Sequence, residues 1–279
     1  MLKPSLKNHR AQKIALIAMF AALYYVLSLI PIPAIPTTAG AIQINLAALV
    51  ASVFGIVLGP YLGAGAALLG TTVTWALTGM SPLGLPFLVS PMLNALIVGL
   101  VFYKKWKYAV AVFGIMIVAF FFTEPVTPLT GTSVLVGFNL PVSNWYIALS
   151  VLFDKIIALA LILPLALFGK KISLAYGSLF FFILAFVGNQ ADNMWGSLIF
   201  TTHSVYNGIF GYQLADVQLF FVASPFLYPI IRIIQAVIGM IIIVPLVRVL
   251  QGTNWLWSND HIFADNPKPI STSPTVTPL

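Results

Sequence analysis

Residues 186–197 read FVGNQADNMWGS, directly after fourteen residues with no formal charge, ISLAYGSLFFFILA. Asn189, Gln190, Asp192, Asn193 and Trp195 in one short patch supply donors, acceptors, one carboxylate and one ring face. That inventory suits reversible recognition of a polar solute. Of six acidic residues in the chain, Glu124, Asp154 and Asp192 fall in or at the ends of apolar segments, as do Lys155 and Arg232. Charges at such depths are costly, so each is a functional candidate. Arg232, flanked by PFLYPII and IIQAVIG, could hold a carboxylate or phosphate through its planar fork. Trp75 or Trp195 could stack on a ring, and the mixed charges favour a zwitterion or a ring-bearing anion. Asp154 and Lys155 are neighbours about 100° apart on a helix, so one of them is structural. Asn94, three residues after Pro91, suits either the floor of a site or a hydrogen bond between helices.

These residues need a membrane scaffold. The chain has 279 residues, 60% hydrophobic and 7% charged, with mean hydropathy +1.03. Soluble domains carry about a quarter charged residues, so the composition indicates a polytopic helix bundle in a lipid bilayer. Eight apolar segments can be drawn, near 12–30, 44–58, 61–79, 86–103, 108–123, 145–169, 172–199 and 225–250. Lys3, Lys7, Arg10 and Lys13 precede the first. Lys104, Lys105 and Lys107 follow the fourth, Lys170 and Lys171 the sixth, and Arg248 closes the eighth. With both termini cytoplasmic, all of these basic residues lie inside, and the loops 31–43, 80–85, 124–144 and 200–224 carry no Lys or Arg. At a rise of about 1.5 Å per residue, Glu124, Asp154, Asp192 and Arg232 come out about 22–27 Å above the inner ends of their helices. They would line one chamber open to the outside.

Several activities lack their residues. There is no cysteine, no phosphate-binding glycine loop, no HExxH and no GxSxG, and three scattered histidines make no metal site. No cofactor is expected, and the basic residues read as orienting signals rather than nucleic-acid contacts. Residues 1–251 form one transmembrane domain. The tail 252–279, ending DNPKPISTSPTVTPL, has a disordered composition. The first segment, followed by Ala39-Gly40-Ala41, reads as an uncleaved helix with Tyr24 and Tyr25 as interface anchors, although a cleaved secretory signal has the same layout. Gly55, Gly59 and Gly63, then Gly65 and Gly70, suit close helix packing. Ala15, Ala18 and Ala22 share one face of the first helix, for packing or for a partner.

IALIAMFAALYYVLSLIP, then LAALVASVFGIVLGPYLGAGAALLGTTVTWALTG, then PFLYPIIRIIQAVIGMIIIVPLVRVL resemble the S components of energy-coupling factor (ECF) type vitamin transporters. The likeness covers roughly 12–103 and 180–250. It implies a membrane subunit, not an enzyme, that captures a vitamin or similar solute. A separate transmembrane coupling protein and two cytoplasmic ATPases would power uptake. It also implies that Ala18 and Ala22, with Ala15 by facing, dock the coupling protein. The family's usual six spans leave 104–171 as a candidate inserted helix pair. Two other functions fit the residues. A proton-coupled secondary transporter would use Asp192 or Asp154, and an intramembrane enzyme on a lipid-linked substrate would use a carboxylate.

Overall fold

The computed structural model describes residues 10–30, 35–37, 40–42, 46–135, 140–175, 177–223 and 225–250. The tail 252–279, Lys3, Lys7 and Ala39 of the cleavage pattern lie outside them.

Each apolar segment folds as a helix: α1 (Arg10–Ser28), α2 (Leu46–Leu58), α3 (Pro60–Leu77), α4 (Ser90–Phe102), α5 (Trp106–Phe120), α6 (Asn144–Ala175) and α7 (Gly177–Phe200), with the last at the C-terminal end. Before that last helix come two short ones, α8 (His203–Tyr206) and α9 (Leu214–Ala223), and α10 (Leu227–Leu250) then closes the described chain. The chain is an all-α membrane helix bundle. By length and composition, Ala11–Ser28, Leu85–Phe102, Asn144–Ile172 and Tyr228–Leu250 are each sufficient to cross a membrane.

Local chemistry sets the turns. Gly59 takes φ +81°, a left-handed conformation that costs glycine little. Pro60 then opens α3 at a position where its missing N–H costs nothing. The loops before α2 and before α6 hold two antiparallel hairpins. In the first, β1 (Ile35–Thr37) pairs β2 (Gly40–Ile42), with Ile35 opposite Ile42. In the second, β3 (Thr132–Leu135) pairs β4 (Leu140–Ser143), with Thr132 opposite Ser143.

Helix α7 is central and packs against α2, α4, α5, α6 and α10, while α1 leans on α2 and α3. Close approach needs small residues. A Cβ on Gly55 would strike the Ala95 carbonyl, and one on Gly99 would stand 2.6 Å from Pro60 Cα. Gly188 meets Asn94 and Val98 in the same way. Lipid tails are as apolar as leucine, so these van der Waals contacts, not water exclusion, hold the helices together. Gly65 differs from its neighbours: it faces out with nothing near its missing Cβ.

Two expectations change. Tyr24 is a core residue, not an interface anchor: it is buried, edge-on to Phe54, and lies against Gly70. Lys170 and Lys171 belong to the last turns of α6 rather than to a loop after it.

Candidate functional site

The polar patch does not end a helix. Helix α7 continues to Phe200, so Asn189, Gln190, Asp192 and Asn193 sit inside it, and all four are buried. An α-helix satisfies its own backbone, which lets a polar cluster occupy the middle of a bundle without exposing peptide groups.

Part of the cluster is internally satisfied. Ser52 donates to Asn94 Oδ1 at 2.7 Å, and Asn94 Nδ2 donates to Asn189 Oδ1 at 3.0 Å. This chain ties α2, α4 and α7, so Asn94 is a helix-to-helix hydrogen bond beneath the patch. Ser197 donates to Asn193 Oδ1 at 3.4 Å.

The rest is not satisfied. Gln190 is fully buried and neither Oε1 nor Nε2 has a hydrogen-bond partner. Ser90 Oγ on α4, Asp154 Oδ2 on α6 and Arg232 Nε on α10 are likewise buried without one, while Asp154 Oδ1 is held by Lys155. Three helices packed on α7 thus each present an unpaired polar group. Electrostatics links them: Asp192 lies within Coulombic reach of Arg232 and beside Ser90, and Arg232 acts on Lys155 as well. Lys155 Nζ stands 3.0 Å from Asp154 Oδ1, and both side chains are buried. The two neighbours face each other as an ion pair, so neither has the separate direction the helix angle suggested. Arg232 Nη1 donates to Gln235 Oε1 at 2.8 Å, one turn on.

Other candidates are placed elsewhere. α5 stops at Phe120 and a 3₁₀ turn follows at Glu124–Val126, so Glu124 leaves the bundle instead of standing on a span. It is exposed. Tyr206 donates to its Oε2 at 2.7 Å, and His203 Nδ1 lies 2.9 Å from the same hydroxyl. Burial and then the Glu124 carboxylate push the Tyr206 hydroxyl up to about 12. Trp75 folds onto its own turn, its Nε1 donating to the Ser81 carbonyl at 2.7 Å. Trp195 donates to the Pro86 carbonyl at 3.2 Å and stays half-buried beside the patch.

The described residues of 124–135 and 140–144 are tied to α9 and α6. Gln218 on α9 donates to the Pro125 carbonyl at 2.9 Å and to Ser133 Oγ at 2.8 Å. Ser133 in turn donates to Asn144 Oδ1 at the start of α6 at 2.7 Å. Phe200, Phe210, Tyr212, Phe220 and Phe221 pack edge-on or stacked around α9.

Ala15, Ala18 and Ala22 are all exposed, with Ile14, Met19 and Val26 around them. The inward face of α1 is Leu16, Phe20, Ala21 and Tyr24. Among the described residues, the alanine face therefore lies outside the packing of the bundle.

Sequence reading missed Ser52, Ser90 and Gln235. Gln235 carried a signal, since it stands three residues after Arg232 and so shares its face. The two serines carried none, because a lone hydroxyl in an apolar helix often bonds its own backbone.

The family model for the ECF-type riboflavin transporter, S component, matches residues 8–167, more than half of the chain. The chain belongs to the ECF-type S-component family. No curated protein and no solved structure matches it. This S-component family is one of membrane-embedded transporters and not of enzymes. The match holds α1 to α5 and most of α6, including the 104–167 stretch that resembled an insertion, and it stops before α7. The unpaired groups on α7 and α10 thus lie beyond the matched residues, and the case for them is geometric.

Proposed function

We propose that the chain captures a vitamin of flavin type for an ECF importer, and that the solute sits among Ser90, Asp154, Gln190, Asp192, Asn193, Trp195 and Arg232. One observation carries this reading: buried polar atoms without hydrogen-bond partners occur on α7 and on α4, α6 and α10, the helices packed against it. Native proteins pair the great majority of buried polar groups, and lipid offers no water to make up the difference. A set left open at one level is complementary to a polar ligand. It offers acceptors at Asp154 and Gln190 and donors at Ser90, Gln190 and Arg232. Asn94 and Asn189, bonded to each other, form the floor. Glu124 and Trp75 stand outside this group in our reading.

Membership of the riboflavin transporter S-component family supports a riboflavin-like ligand. The exposed Ala15, Ala18 and Ala22 face supports docking of a transmembrane coupling protein, with two ATPases on its cytoplasmic side.

Riboflavin titration of the purified chain, followed by flavin fluorescence, tests the reading. Arg232→Ala and Asp192→Asn are expected to weaken binding by about tenfold or more, as loss of a charged hydrogen-bonding partner does. Unchanged affinity in both variants would remove the basis of the site.

A further inference from the structure

Gln190 stands apart from its neighbours on α7. Asn189 is bonded to Asn94 and Asn193 accepts from Ser197, but the Gln190 carboxamide has neither its donor nor its acceptor matched, at 0% exposure. A carboxamide places a donor and an acceptor side by side in one plane. A lone hydroxyl or a water reaches both only through bent hydrogen bonds, which are weak. Both are satisfied together by an edge that carries an acceptor beside a donor, –NH–C=O, as when a glutamine side chain pairs with a base edge.

Charge points the same way. Lys155 is answered by Asp154 at 3.0 Å, and Arg232 shares the layer with Asp192. Buried Lys155 and half-buried Arg232 stand with two buried carboxylates, so a charged ligand would unbalance the layer in a low-dielectric interior. This narrows the zwitterion or anion that the sequence suggested.

We infer that Gln190 is the specificity-determining residue of the site, and that both atoms of its amide pair with the lactam or imide edge of an uncharged heterocycle. The inference rests on the solute-capturing reading above. A flavin ring carries such an edge, an N3–H between two carbonyls. N3-methylriboflavin keeps the ring and the polyol and replaces that N–H with N–CH3, so the two compounds form the probe pair.

The experiment is a fluorescence titration of both flavins against the full purified chain and against Gln190→Met, with a ligand-free melting curve of each protein. The wild-type chain is expected to prefer riboflavin by about 30-fold or more, since a site built to hydrogen-bond a group rejects the analogue lacking it. Gln190→Met is expected to narrow that preference to about threefold or less. Ligand-free, it is expected to melt no lower than wild type, because it removes two polar groups that have no partner. Equal binding of the two flavins by wild type would overturn the inference, as would a preference that survives in Gln190→Met. A variant that melts lower or fails to fold would also overturn it, since the amide would then be satisfied within the protein. A folded wild-type chain that binds neither flavin would instead remove the flavin reading, and the inference with it.

Discussion

Asn94 and Asp154 make opposite uses of burial. Asn94 accepts from Ser52 and donates to Asn189, so its carboxamide closes a chain across three helices. Asn94→Ala strands Asn189 and Ser52 together, and a loss of about 1–3 kcal/mol in unfolding free energy is expected for the buried groups left unpaired. Thermal or denaturant unfolding in detergent checks it. Asp154 instead neutralises its own neighbour, Lys155. Breaking a buried pair from one side leaves a bare charge, so Asp154→Leu is expected to cost about 3–5 kcal/mol. Replacing both residues by leucine is expected to recover most of that loss. A double variant no more stable than the single would mean that Lys155 has another partner. The pair was half legible beforehand: two adjacent charges in an apolar helix announce a cost, but their rotamers, not the helix angle, decide that they meet.

At the scale of elements, glycine and alanine faces have different meanings. Gly55 and Gly99 let α2, α4 and the Gly59-Pro60 turn touch backbone to backbone. Gly99→Leu has no room to relax, because its new side chain meets Pro60 Cα and the Gly55 backbone rather than a flexible tip. It is expected to abolish the folded state in detergent, read as loss of a single monodisperse peak in size-exclusion chromatography. Gly114→Leu, whose missing Cβ faces open space, is the tolerated control. Among the described residues, the alanine face of α1 points away from the bundle. Spacing showed that these residues share a face, yet a small-residue stripe looks identical whether it packs inward or outward. Only the burial of Leu16, Phe20 and Tyr24 on the opposite side settled the direction.

For the molecule as a whole, the exposed α1 face and the buried polar layer imply divided labour. Ala18→Trp is expected to leave riboflavin affinity of the isolated chain within about twofold, since surface changes away from a site have small effects. The same variant is expected to lose capture by the coupling protein and ATPases in a co-purification. The chain alone in liposomes is expected to show no uptake driven by a pH gradient. Gradient-driven uptake by the chain alone would favour the proton-coupled transporter, with the buried carboxylates as the working groups.

Composition and residue order alone determined that this chain is a membrane helix bundle, where each of the eight helical segments lies, and that α7 and α10 carry polar and charged residues inside apolar runs. Those are local properties: apolar runs, helix-breaking pairs such as Gly59-Pro60, and charges where none should be. The family resemblance in the first helices was equally local. Tertiary structure alone decided which polar groups remain unpaired. Asn94 and Gln190 are the same kind of side chain in equally apolar settings. One finds partners on α2 and α7 and the other finds none, because helix packing determines which side chains come within about 3 Å of each other. It also removed Glu124 from the chamber: rise per residue measures height along an axis, and α5 ends before that height is reached.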